Sequence, residues 1–168
     1  MRNDFRLQYP LWMMGFVIVF GILAYGVTAI PSGVEVRESE TVTSFSVHLG
    51  AIETWTIIGS LVLYSLMLGV FLLKLMRHNK ENPTQKISSF PIRPPEYLEQ
   101  DEGMTYITRK AAQKVYTFMT WALPMLALAI MLIPVSRLVI IWSILAVALV
   151  QYLIYYLEIR KHLKEETQ

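Results

Sequence analysis

Four runs of the chain, residues 11–30, 55–73, 115–133 and 138–157, contain no Asp, Glu, Lys or Arg. Each is about as long as a helix must be to cross ~30 Å of hydrocarbon at ~1.5 Å per residue. A segment in hydrocarbon has to satisfy its own backbone N–H and C=O groups, so the pattern predicts helices despite the many Val and Ile residues. Pro10 and Pro31 punctuate the first run, the former suiting a first helical turn and the latter a stop. Arg2 and Arg6 ahead of it also fit a signal peptide. The run exceeds the ~7–15-residue core of such a peptide and ends without an A-x-A site, so it reads as a span of the mature chain.

Spans 3 and 4 are separated only by Pro134, Val135, Ser136 and Arg137, which makes them antiparallel neighbours. Spans 1 and 2 form a second hairpin around a longer connection, 31–54. The fold class expected is therefore an all-α integral membrane protein, a single domain of four transmembrane helices arranged as two antiparallel hairpins. No internal repeat relates the halves.

Composition agrees with this solvent: the 168 residues are 54% hydrophobic and 17% charged. The absence of cysteine excludes a disulfide scaffold, thiolate chemistry and Cys metal sites. A net charge of +2 gives no argument for nucleic acid. Its distribution is more informative, because thirteen of the fifteen Lys and Arg lie before span 1, in 74–114 or after span 4, leaving Arg37 and Arg137 for the other side. The positive-inside rule places both termini and the 74–114 loop in the cytoplasm and 31–54 outside, in the cell (inner) membrane. Aromatic residues at span edges, Tyr9, Trp12, Trp55, Tyr116 and Trp142, read as interfacial anchors.

Small residues suggest where helices approach. Gly21, Ala24 and Thr28 share a face of span 1, and Ser65 with Gly69 form a small-xxx-small pair on span 2, with Gly59 and Ser60 beyond them. In span 3, Pro124 cannot donate to the carbonyl of Thr120, so a kink is expected, with Thr117, Thr120, Pro124 and Ala127 on one stripe. A structural kink is the simpler reading and a hinge for gating the sharper one. Span 4 holds the one strongly polar side chain within an apolar run, Gln151, on a stripe with Ala148, Tyr155, Glu158 and His162. Burial of its amide calls for an interhelical hydrogen bond, for instance to a span-3 threonine. Glu158, near the inner boundary, is expected to pair with a basic residue such as Lys74 or Lys114 instead of relaying protons.

Outside the spans, 32–54 alternates Phe45, Val47 and Leu49 with Ser44, Ser46 and His48, predicting extended chain or a hairpin with Glu38, Ser39 and Glu40 at its tip. Its acids lack the spacing of a calcium loop. The proline-bearing stretch 82–95 reads as a linker, and the run from Thr105 extends span 3 into the cytoplasm with Thr105 as its cap. Phe90, Tyr97 and Leu98, set among acids and prolines, form a candidate docking segment for a protein partner.

No nucleotide-binding, zinc-protease or hydrolase motif occurs. The histidines at 48, 78 and 162 lie outside the spans, which supports neither paired haem ligands nor a metal site, and no cofactor is implied. The expected function is non-enzymatic: a small multi-pass protein acting by contact with a protein partner or as a homo-oligomer. It would serve as an accessory subunit of a membrane assembly or as a protective, immunity-type protein. The alternative is an oligomeric channel or small-solute transporter built on the Pro124 kink and the Gln151 stripe. A membrane enzyme using His78, His162 or Glu158 is the weakest of the three.

Overall fold

The structure, a computed structural model, describes residues 5–28, 34–39, 42–47, 50–81 and 102–165, with side chains at 8–28, 50–81 and 105–162. Four long helices, α1 (Phe5–Thr28), α2 (Ala51–Glu81), α3 (Glu102–Leu132) and α4 (Arg137–Glu165), account for nearly all of it. All four are long and apolar enough to cross a membrane. Two strands, β1 (Val34–Ser39) and β2 (Val42–Val47), pair antiparallel between α1 and α2.

The helices extend past the charge-free runs. At ~1.5 Å per residue, the 31 residues of α2 measure about 46 Å, so its last turns, bearing Lys74, Arg77 and Lys80, outrun the hydrocarbon. Helix α1 begins at Phe5, which makes Pro10 its sixth residue instead of a first-turn residue. This is tolerable because the missing N–H costs only one bond, to the carbonyl at position 6 near the helix end. Helix α3 begins at Glu102, so Thr105 lies inside it and does not cap it; its carbonyl accepts from Thr108 Oγ1 at 3.1 Å. A serine caps α4, where Ser136 Oγ accepts the N–H of Val139 at 3.4 Å and Ser136 O that of Ile140.

The hairpin expected in 31–54 is present, but its tip is displaced. The ladder runs from Val34↔Val47 through Glu38↔Thr43 to Ser39↔Val42, so Glu38 and Ser39 are paired and only residues 40 and 41 lie between the strands. The apolar pairs Val34↔Val47 and Val36↔Phe45 lie at the base of the ladder, and pairing continues past them through the polar Glu38↔Thr43 and then Ser39↔Val42.

The helices pack as a bundle in which α1 contacts both α2 and α4, and α4 contacts α3. Among the described residues, α2 and α3 share no face of comparable extent. Early α1 meets late α2 through an aromatic cluster: Phe71 is buried, with the rings of Tyr9, Trp12 and Phe16 centred 6.2, 6.0 and 5.9 Å away. Beside it Leu75 is 1% exposed. Tyr9 and Trp12, expected as interfacial anchors, are therefore packing residues of the α1–α2 contact. Late α1 meets early α2 at Gly26, where an added Cβ would lie 2.6 Å from Ile57 Cγ1 and 3.3 Å from the Glu53 carbonyl oxygen. The small pair on span 2 does not mark this contact, since Ser65 and Gly69 lie on the exposed side of α2 while Ser60, Phe71 and Leu75 face inward. Bulky aromatic packing takes the place that small residues were expected to hold.

These environments predict opposite responses to the same substitution. Gly26→Ala has to displace a β-branched side chain and approach backbone, and should destabilise the α1–α2 contact by about 1–3 kcal/mol. Gly59→Ala, where nothing lies within 4 Å, should be neutral or stabilising by up to about 1 kcal/mol through helix propensity. Thermal unfolding of the two variants in one detergent measures both; equal shifts would contradict the packing described.

Candidate functional site

The polar stripe of α4 is the densest collection of reactive side chains among the described residues. Ala148, Gln151, Tyr155 and His162 are half-buried and Glu158 is buried, as expected of a stripe that faces protein. At its end, Glu158 Oε2 receives a charged hydrogen bond from Lys114 Nζ of α3 at 2.5 Å, and Glu158 Oε1 lies 3.4 Å from His162 Nε2 one turn along. Lys114 was one of the basic residues expected as a partner for this acid. Another, Lys74, sits 5.2 Å over the Trp12 ring with its ammonium 3.4 Å from Gln8 Oε1.

Immediately beside the ion pair, Ile107 and Ala111 of α3 and Ile159 of α4 form a buried cluster with Tyr155 packed against it. The i, i+4 spacing of 107 with 111 and of 155 with 159 makes this a helix-to-helix seam. That spacing is legible in the sequence, but basic residues surround it and mask its apolar character. Glu158 is 7% exposed, and a carboxylate so placed costs free energy unless it is paired. The arrangement fixes the register of α3 on α4. It is also a closed set, with the acid committed to a lysine and a histidine.

Gln151 is not joined to the span-3 threonines. Thr117 Oγ1 donates to Gln113 O and Thr120 Oγ1 to Tyr116 O, both at 2.9 Å within α3, and no hydrogen bond among the described residues links either to Gln151. Thr117, Thr120, Pro124 and Ala127 all lie on an exposed face of α3, and the helix assignment runs unbroken through Pro124. Phe90, Tyr97 and Leu98 lie outside the described residues.

A second feature was not foreseen. Trp142 Nε1 donates to the backbone carbonyl of Gly21 at 3.0 Å, tying α4 to α1 within the spans. Around this bond a cavity of about 280 Å³ is lined by Val17, Ile18, Ile22, Leu145, Ala146 and Leu149. Its walls are apolar, and the indole N–H is already used, so it offers no polar group to orient a ligand. Gly21 itself was legible as a contact residue, and it meets Leu145 of α4. Gly15 and Gly26, which meet α2, were missed because neither joins the Gly21, Ala24, Thr28 stripe. No group of three or more His, Asp or Glu that could hold a metal occurs among the described residues.

Compared with known proteins, the chain matches no family model, no curated protein and no solved structure.

Because Glu158 is buried and Lys114 only half so, removing the cation should cost more than removing both members. Lys114→Met leaves the carboxylate facing the apolar cluster and should destabilise the fold by about 1–3 kcal/mol. Lys114→Met combined with Glu158→Leu should recover most of that loss. Unfolding curves of the three chains in detergent provide the check; a double variant as unstable as the two losses added together would rule out the coupling.

Proposed function

We propose that the chain is a multi-pass protein of the cell (inner) membrane that works by contact with a second protein or a second copy of itself, as an accessory subunit or a protective, immunity-type protein. Its helices are read as two antiparallel hairpins, with both termini and the 74–114 connection in the cytoplasm. The distribution of charge supports this orientation. Lys74, Arg77, Lys80, Arg109, Lys110, Lys114, Arg160 and Lys161 lie at the late end of α2, early in α3 and late in α4, whereas Arg137 and Glu53 lie at the opposite ends.

One observation carries the contact reading. The three glycines of α1 sit at or near neighbouring helices, Gly15 by Met67, Gly21 by Leu145 and Gly26 by Ile57. Gly59 and Gly69 of α2 have nothing within 4 Å, on a face that also exposes Trp55, Leu66, Leu73 and Met76. A glycine inside a helix is unfavourable by about 1 kcal/mol relative to alanine, a cost without return against lipid. Against another helix it permits close backbone approach, as it does within this chain. The outward face of α2 is accordingly the proposed docking face.

The channel or transporter reading draws on the α3 stripe. Thr117, Thr120 and Pro124, exposed in the single chain, would meet only at the centre of an assembly. Flux through liposomes that is indifferent to Gln151→Leu and Pro124→Ala would set that reading aside.

Purification from native membranes in mild detergent tests the contact reading. The native chain should carry a stoichiometric partner or a second copy. Gly59→Leu together with Gly69→Leu should release it while leaving the thermal stability of the chain unchanged. A native chain that purifies alone, or a variant that retains its partner, contradicts the proposal.

A further inference from the structure

The cations at the basic end of the molecule are not equivalent. On α2, Arg77 Nε is held by Glu81 Oε1 at 2.8 Å, and Lys74 lies over Trp12 beside Gln8; Lys80 is exposed near the helix end, five residues past the buried Leu75. On α3, Lys114 is committed to Glu158. Arg109 and Lys110, by contrast, lie between the buried Ile107 and Ala111, and Arg160 and Lys161 directly follow the buried Ile159. The four cations therefore sit at one level of the bundle, on the outward sides of a packed joint. Arg109, Arg160 and Lys161 are exposed, and among the described residues none has a carboxylate within pairing distance. Lys110 Nζ is 5.9 Å from the ring centroid of Tyr106, which is itself exposed.

Unpaired cations beside an exposed tyrosine, within two turns of a charge-free span, match the chemistry of a headgroup layer. A zwitterionic headgroup brings its own ammonium to compete for its phosphate. An anionic one does not, so charge complementarity selects it. The seam also fixes the level of all four cations relative to the spans, since Ile107, Ala111 and Ile159 are locked by their burial.

We propose that the outer sides of the α3–α4 joint form a binding surface for anionic phospholipid headgroups, with Arg109, Lys110, Arg160 and Lys161 each available to lipid phosphates, and that the end of α2, with Lys80 as its one exposed and unpaired cation among the described residues, contributes less. The surface concentrates such lipids on one side of the bundle, next to the exposed face of α3.

The test uses the full chain in phosphatidylcholine vesicles doped with spin-labelled phosphatidylglycerol or spin-labelled phosphatidylcholine, reading the motionally restricted fraction of each probe. At low salt the native chain should prefer phosphatidylglycerol by about threefold or more. Replacing Arg109, Lys110, Arg160 and Lys161 with Gln should remove most of the preference, whereas Lys74→Gln with Arg77→Gln and Lys80→Gln should leave most of it. Raising the salt to about 0.5 M should lower the preference of the unsubstituted chain, because exposed charges are screened, which keeps the test decisive if the quadruple variant fails to fold. Equal affinity for the two probes, a preference insensitive to salt, or an equal loss in the α2 triple variant overturns the proposal.

Discussion

The structure depends on how a bundle holds together in a solvent that cannot distinguish lipid from leucine. At the junction of its halves the answer lies at Gly21, where Trp142 donates to a backbone carbonyl across the helix boundary. In hydrocarbon no water competes for that carbonyl, and a polar contact of this kind contributes on the order of 1 kcal/mol. Without the α1–α4 contact the α1–α2 and α3–α4 pairs would be separate, since among the described residues α2 and α3 share no comparable face. The aromatic cluster on Phe71 closes one pair, and the Lys114–Glu158 bridge with its apolar seam closes the other.

Polar side chains inside the spans follow a consistent rule. Thr56, Ser60, Ser65, Thr117, Thr120 and Ser143 each turn a hydroxyl back to a carbonyl three or four residues earlier. The helix itself is the nearest acceptor, so these groups need no neighbour and impose no register. Among the described residues, polar contact between helices is made by Trp142 with Gly21 within the spans and by Lys74 with Gln8 and Lys114 with Glu158 at the basic end, where water is near enough to lower the cost of errors. This explains why the exposed α3 stripe carries hydroxyls without being a polar surface in any demanding sense.

The spans were legible because a charge-free run of the right length has few other uses, and the hairpin because its apolar positions alternate. The points missed were those where local sequence does not choose among partners. Gln151 and the span-3 threonines satisfy a rule of pairing, yet each threonine had a closer acceptor in its own helix. Ser65 and Gly69 fit a packing motif, but the aromatic residues one face away bury more surface. Gly26 carries no motif with Gly21, and its importance comes from α2, which sequence spacing on α1 cannot reveal. The Lys114–Glu158 pair was accessible in advance because a lone acid at a span boundary must be paired and basic residues, Lys114 among them, crowd that end of the chain.

The central claim is the adjacency of α1 and α4 at Gly21, which joins the halves and leaves α2 and α3 as outer helices with open faces. The chain has no cysteine, so Gly21→Cys and Leu145→Cys can be introduced as the only thiols and bridged with a short thiol-to-thiol reagent in native membranes. Rapid intramolecular cross-linking is the predicted result, since a Cβ at position 21 lies 3.6 Å from Leu145 Cδ1. A folded chain that gives no such cross-link, while thiols placed on facing positions of α2 and α3 react readily, would contradict the arrangement on which the rest depends.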